Sequence, residues 1–269
     1  MHVSIKAETL FELFGIEVTN AMLLGLIGTI FLAVWLLFVA RKVKKNPDGV
    51  AKKGFFTRMV LWCFERLYQT VQETIPDKKV ARGVAPFVIT IFFLVIIQYY
   101  AGLLPFAGEA LAVGHTPLFR SQAADLNFTL ALAIITIVMV QVWAFKVLGL
   151  KESLGRYFVN PLKDPMGCFV GFLELIGEFS RMLGLAMRLF GNVFAGEILL
   201  TVVTSLALYA SPVLLPIFYI FELFIGGIQA YVFFMLATVF IGLVVSHGSH
   251  TESDHSTKAK MVSEVSTLN

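Results

Sequence analysis

Eight charged or amide side chains interrupt two long apolar stretches near the C-terminus: Glu174, Glu178, Arg181, Arg188, Asn192 and Glu197 within residues 166–203, and Glu222 and Gln229 within 211–245. At the centre of a bilayer an ionisable group costs roughly 2.5–3.5 kcal/mol on insertion scales, so the six ionisable ones sum nominally to about 15–20 kcal/mol. A plain anchor would not carry that cost. The groups are tolerable only if they face protein or water, and side chains of these types at this depth point to an ion or proton pathway.

Their spacing divides them. At about 100° per residue, Glu174, Glu178, Arg181 and Asn192 fall within about 80° of Arg188 and form one stripe, whereas Glu197 lies about 180° away. Glu222 and Gln229, seven apart, share a face. Two differently placed polar routes are expected rather than one continuous wire. Glu178 and Arg181, three apart, could instead simply pair and stabilise their helix. Arg188 has Gly184, Leu185, Gly191 and Asn192 at the neighbouring turn positions, so its partner must lie on another helix or another subunit. Small residues four apart (Ser180 and Gly184, Gly191 and Ala195, Gly226 and Ala230, Gly167 and Gly171) allow close helix contacts, either within this chain or against a separate protein.

The elements that must position these groups follow from composition. In 269 residues, 58% are hydrophobic and only 14% charged, with mean hydropathy +0.82. Soluble domains run near 25% charged, so lipid is the solvent. Disorder, a collagenous repeat and a disulfide scaffold are excluded, and Cys63 and Cys168 read as packing residues. The net charge of +3 reflects membrane topology, not a nucleic-acid patch. Five spans are expected at about 21–40, 84–106, 126–150, 166–203 and 211–245, each long enough to cross hydrocarbon. Pro86 should open the second, Pro105 close it, Pro161 and Pro165 precede the fourth, and Pro212 and Pro216 open the fifth. Residues 1–20 form an external segment, 21–245 a single membrane domain, and 246–269 a cytoplasmic tail. That tail, with His247 and His255, is expected to be disordered rather than to bind metal.

Of the 21 Lys and Arg residues, 17 lie in segments 41–83, 146–163 and 246–269, whereas Lys6 and Arg120 lie on the other side. Cytoplasmic loops carry the basic excess, which puts the N-terminus outside and the C-terminus in the cytoplasm. Apolar residues at three- and four-residue spacing in 55–75 (Phe56, Met59, Val60, Cys63, Phe64, Leu67, Val71) make an amphipathic helix on the cytoplasmic surface. The fourth span is too long to stand upright in about 30 Å of hydrocarbon, so the last two are read as long, steeply tilted helices. The fold class is therefore an all-α integral membrane protein with five membrane helices and one surface helix. No GxxxxGK[ST], GxGxxG, HExxH or GxSxG motif gives nucleotide or hydrolase chemistry a seat.

The segment Met187–Glu197, reading MRLFGNVFAGE, closely resembles the RLFGN-x-x-AG-[EH] core of subunit a of F-type ATP synthases. Gly227–Phe233 is similar to the same family's IQAYVF segment, and Ala124–Asn127 to its ADLN turn. This resemblance implies a stator lying against a rotating ring of c subunits, with b subunits of the peripheral stalk as further partners. Aqueous half-channels would open to opposite sides of what is, on this reading, a bacterial inner membrane. Arg188 would face the ring carboxylate, keep it ionised as it passes and block leakage. Asn192, Glu197, Glu222 and Gln229 would line the path, and Glu174, Glu178 and Arg181 a possible secondary one.

The resemblance further implies a non-catalytic component of the rotary complex, without a cofactor or metal of its own, passing H⁺ or, as the alternative, Na⁺. Family members often pair a glutamate with a histidine at the positions of Glu197 and Glu222. Glutamate at both, in low dielectric, leads to the expectation that the two share a proton. A stand-alone secondary transporter is the rival reading, but the chain shows no inverted repeat and only five spans.

Overall fold

The computed structural model describes residues 9–13, 16–45, 54–104, 112–113, 116–117, 120–149, 165–207 and 211–267. These residues form helices α1 (Asn20–Lys45), α2 (Phe55–Thr74), α3 (Lys78–Gly102), α4 (Leu126–Leu148), α5 (Pro165–Ala207) and α6 (Ser211–Thr267). Two short antiparallel ribbons, absent from the sequence expectation, complete them: β1 (Thr9–Leu13) with β2 (Ile16–Thr19), and β3 (Ala112–Val113) with β4 (Thr116–Pro117). Five of the helices are long and apolar enough to cross a membrane, and the protein is an all-α multi-pass membrane protein.

Local chemistry starts three of the helices. Thr19 Oγ1 accepts from Met22 N–H at 3.2 Å, Asp77 from Lys79 N–H at 2.7 Å and Asp125 from Asn127 N–H at 2.9 Å, each satisfying a donor that the first turn leaves open. The Asp77 cap moves a boundary. The second membrane helix begins at Lys78, so Pro86 lies inside it rather than opening it. Pro86 forfeits one backbone hydrogen bond, a loss that α3 carries within a long helix. Pro216 likewise lies inside α6, Pro165 opens α5, and Pro105 and Pro161 fall outside the described residues.

α5 runs unbroken for 43 residues, about 64 Å at 1.5 Å per residue. The apolar part of α6, Pro212–Ser246, has 35 residues. Neither fits upright across about 30 Å, so both tilt. α6 continues past the membrane to Thr267, where the sequence reading placed a disordered tail. Residues 247–267 contain no proline and a single glycine, Gly248, so little in them stops a helix.

α3 and α6 are central. In each, 56% of the apolar stretch is buried, against 17% for α5. Tyr99, Ile89, Phe233, Phe234 and Ile241 are fully buried between them, and Phe92 meets Phe234 edge-to-face with ring centroids 6.3 Å apart. In lipid such packing, rather than exclusion from water, drives association. α2 has the expected amphipathic form: Val60, Leu67 and Val71 are buried while Arg66, Glu65 and Glu73 are exposed. Its Cys63 is a free thiol whose pKa burial pushes up, in keeping with a packing role.

Candidate functional site

The two faces of α5 around Arg188 and Glu197 carry different environments. Arg188 is exposed and, among the described residues, makes no hydrogen bond or ion pair. Above and below it, a Cβ built on Gly184 or Gly191 meets nothing within 4 Å. Among the described residues, these two glycines therefore have no side-chain packing partner. Gly226 has one, since a Cβ there would lie 2.5 Å from the Tyr99 ring.

One turn beyond Arg188, Asn192 Nδ2 donates to Gln229 Oε1 at 2.7 Å, joining α5 to α6. Gln229 is buried, and its Nε2 has no partner among the described residues. This pair carries the polar stripe from the exposed face of α5 into the helix contact.

Behind α5, Glu197 and Glu222 both line one cavity of about 40 Å³, with Tyr99, Ser121, Val193 and Leu200 among its walls. Its volume holds a water or two. Glu222 accepts a hydrogen bond from the Tyr99 hydroxyl on α3. Gly196 makes this possible, because a Cβ there would sit 2.0 Å from Glu222 Oε1. Glu197 pairs with Arg120, whose Nε and Nη2 both lie 3.3 Å from Glu197 Oε2. Each carboxylate thus has a donor of its own, and among the described residues the two do not hydrogen-bond each other. The expected separation of Glu197 from the Arg188 stripe is observed.

Nearer the start of α5, Glu178 accepts from Gln141 on α4. Arg181 instead donates to the Gly177 carbonyl at 3.4 Å and lies over the Phe240 ring at 5.5 Å. The structure gives Glu178 and Arg181 separate partners, in place of the local pair that their spacing allows. Glu174 is half-buried and is not brought to the Glu197 cavity.

Tyr99, Arg120, Gln141 and Gly196 escaped the sequence reading. Tyr99 is one of several aromatics in its span, and Arg120 counts there only as an external charge. Gln141 did carry a signal, as the one amide in an otherwise apolar fourth helix after its first turn.

A family model described as ATP synthase A chain matches residues 22–242. The chain belongs to the ATP synthase A chain family. Among its relatives, "ATP synthase subunit a" of Enterococcus hirae is 32% identical over 211 residues, covering 76% of this chain and 82% of the relative. "ATP synthase subunit a" of Oceanobacillus iheyensis is 29% identical over 255 residues, covering 91% and 96%. "ATP synthase subunit a 2" of Chlorobaculum tepidum is 28% identical over 258 residues, covering 91% and 68%. The match to the A chain family spans α1 to α6, and so includes Arg188, Asn192, Glu197, Glu222, Gln229 and the cavity behind them.

Proposed function

We propose that this a subunit passes protons through two half-channels to and from the carboxylates of a c ring, its neighbour in the membrane together with stalk b subunits. At the coarser level its family makes it an ion-translocating stator of the rotary ATP synthase, one component of a multi-subunit membrane complex. The observation that carries the finer reading is the division of α5. An arginine with no hydrogen bond or ion pair among the described residues lies on its open face, and two carboxylates share a cavity on its other side.

In this reading a proton enters from outside by the cavity of Glu197 and Glu222, where bridging water provides the relay. Asn192 and Gln229 lie on its way toward the ring. Arg188, a fixed cation in low dielectric, keeps the passing ring carboxylate ionised and bars direct leakage between the half-channels. Glu174, Glu178 and Arg181 provide polar groups on the cytoplasmic side. Each charge that crosses gains about 2.3 kcal/mol per 100 mV of membrane potential. ATP chemistry belongs to the soluble head, and this chain holds no catalytic site, cofactor or metal. The setting is a bacterial inner membrane, N-terminus outside and C-terminus in the cytoplasm.

The test is ATP-driven acidification of inverted vesicles carrying the whole complex, wild type against Arg188→Ala, with and without Na⁺ and a protonophore. Pumping by wild type without Na⁺, lost in an assembled Arg188→Ala complex, is the expected result. Normal pumping by Arg188→Ala defeats the assignment, and ATP-driven uptake of labelled Na⁺ that persists with the protonophore, in place of acidification, replaces H⁺ by Na⁺.

A further inference from the structure

We propose that Arg120 is a positioning residue of the outer ion path, presented at membrane depth by a buried turn so that its guanidinium holds Glu197 on the cavity shared with Glu222. The inference rests on the proton-path reading above and adds a residue to it.

The turn is fixed by packing. Residues Gln122–Ala124 form a single 3₁₀ turn, closed by Ala124 N–H to Ser121 O at 3.1 Å and Asp125 N–H to Gln122 O at 3.0 Å. Ser121, Ala123 and Ala124 are buried, although the segment connects two membrane helices and by sequence is a surface connection. A Cβ on Gly102 would lie 2.3 Å from Ser121 Cβ, so the end of α3 has room for the turn only because residue 102 is glycine. Asp125 then caps α4. Wedged in this way, the turn places Arg120 with a side chain only 12% exposed, against Glu197.

The charge balance of the cavity gives the arrangement its chemistry. Two carboxylates line it, and Arg120 contributes the cation that faces Glu197, while Tyr99 faces Glu222 with a neutral hydroxyl. Arginine does not give up its proton, so Arg120 is not itself a carrier. Its planar fork, contacting one carboxylate oxygen through two nitrogens, fixes where the Glu197 carboxylate lies, which a mobile lysine does less well. Arg188 has no such partner among the described residues. The two arginines are therefore divided: one faces outward on the open side of α5, and the other anchors an acid behind it.

The experiment uses the whole complex in inverted vesicles, with initial ATP-driven pumping normalised to assembled complex, for Arg120→Gln, Arg120→Lys and Arg120→Gln/Glu197→Gln. Arg120→Gln is expected to slow pumping by about tenfold or more, since it leaves a buried acid unpaired. Arg120→Lys, which keeps the charge but loses the fork, should pump faster than Arg120→Gln and more slowly than wild type. If Arg120→Gln prevents assembly, Glu197→Gln should restore it by removing the orphaned charge.

Pumping by Arg120→Gln at the wild-type rate, a lysine variant no better than the glutamine one, or an assembly defect that Glu197→Gln does not relieve would each overturn the proposal. Arg188→Ala in the same series separates the two readings. If it pumps normally the proton-path assignment fails, whatever Arg120 does. If it is inactive while Arg120→Gln is normal, only the present inference fails.

Discussion

At the residue scale the telling comparison is between glycines of one helix. Gly196 gives its missing side chain to Glu222: an added Cβ would lie 2.0 Å from Oε1, while the same atom on Gly184 meets nothing within 4 Å. Gly196→Ala is therefore expected to displace the Glu222 carboxylate, breaking its hydrogen bond from Tyr99 and stranding a buried polar group at about 1–3 kcal/mol. Proton pumping should fall by about tenfold in assembled complexes. Gly184→Ala has no clash among the described residues, so a loss it causes is expected to report a neighbour from outside. Measuring both in the same vesicles checks the assignment, and equal, small effects would remove Gly196 from the path. The candidate site residues were legible as residues because charge in an apolar run stands out. Their partners were not: Tyr99 and Glu222 are 123 positions apart, Arg120 and Glu197 are 77 apart, and such contacts leave no periodic trace in a sequence.

At the element scale, lengths, faces and most helix starts were readable, and the start of α3 was not. The 20-residue requirement and the 3.6-residue period find α1 to α6 because hydrocarbon imposes both. The start of α3 was misplaced because Pro86 looked like a boundary, whereas the capping carboxylate of Asp77 sets it. The turn 122–124 was hidden for a different reason: a connection is expected at the surface, and only the space left by Gly102 lets this one sink inward. The amphipathic α2 offers a measurable consequence. Burial raises the pKa of the Cys63 thiol, and the thiolate is the reactive form. Its alkylation by a maleimide in intact vesicles should be slow at neutral pH and reach its half-maximal rate at a higher pH than an exposed thiol does. A half-maximal rate at the same pH as an exposed thiol, about 8.5, would mean that α2 is not packed as described.

At the scale of the whole molecule, exposure divides into two kinds. α1 shows Leu26, Ile30, Phe31 and Val34 to its surroundings, large apolar side chains with no charge among them, the composition of a lipid-facing surface. α5 also exposes large apolar residues, but its open face is notched by Gly184 and Gly191 and carries Arg188 and Asn192. A cation at that depth against lipid tails is costly, and small residues there give lipid nothing to fill. The sequence shows the notches and leaves open whether they pack within this chain or against a separate protein; among the described residues an added Cβ at either meets nothing within 4 Å, which favours the second. The difference is testable in a chain whose two cysteines are replaced by serine. A thiol-directed photocrosslinker placed at Gly184→Cys or Gly191→Cys should join the chain to another subunit of the complex, while one at Ile30→Cys should react mainly with lipid. Equal protein adducts from both helices would mean that α5 presents no dedicated face. The long tilted helix would then have to meet the proposed ring elsewhere, and Arg188 would lose the position proposed for it opposite a ring carboxylate.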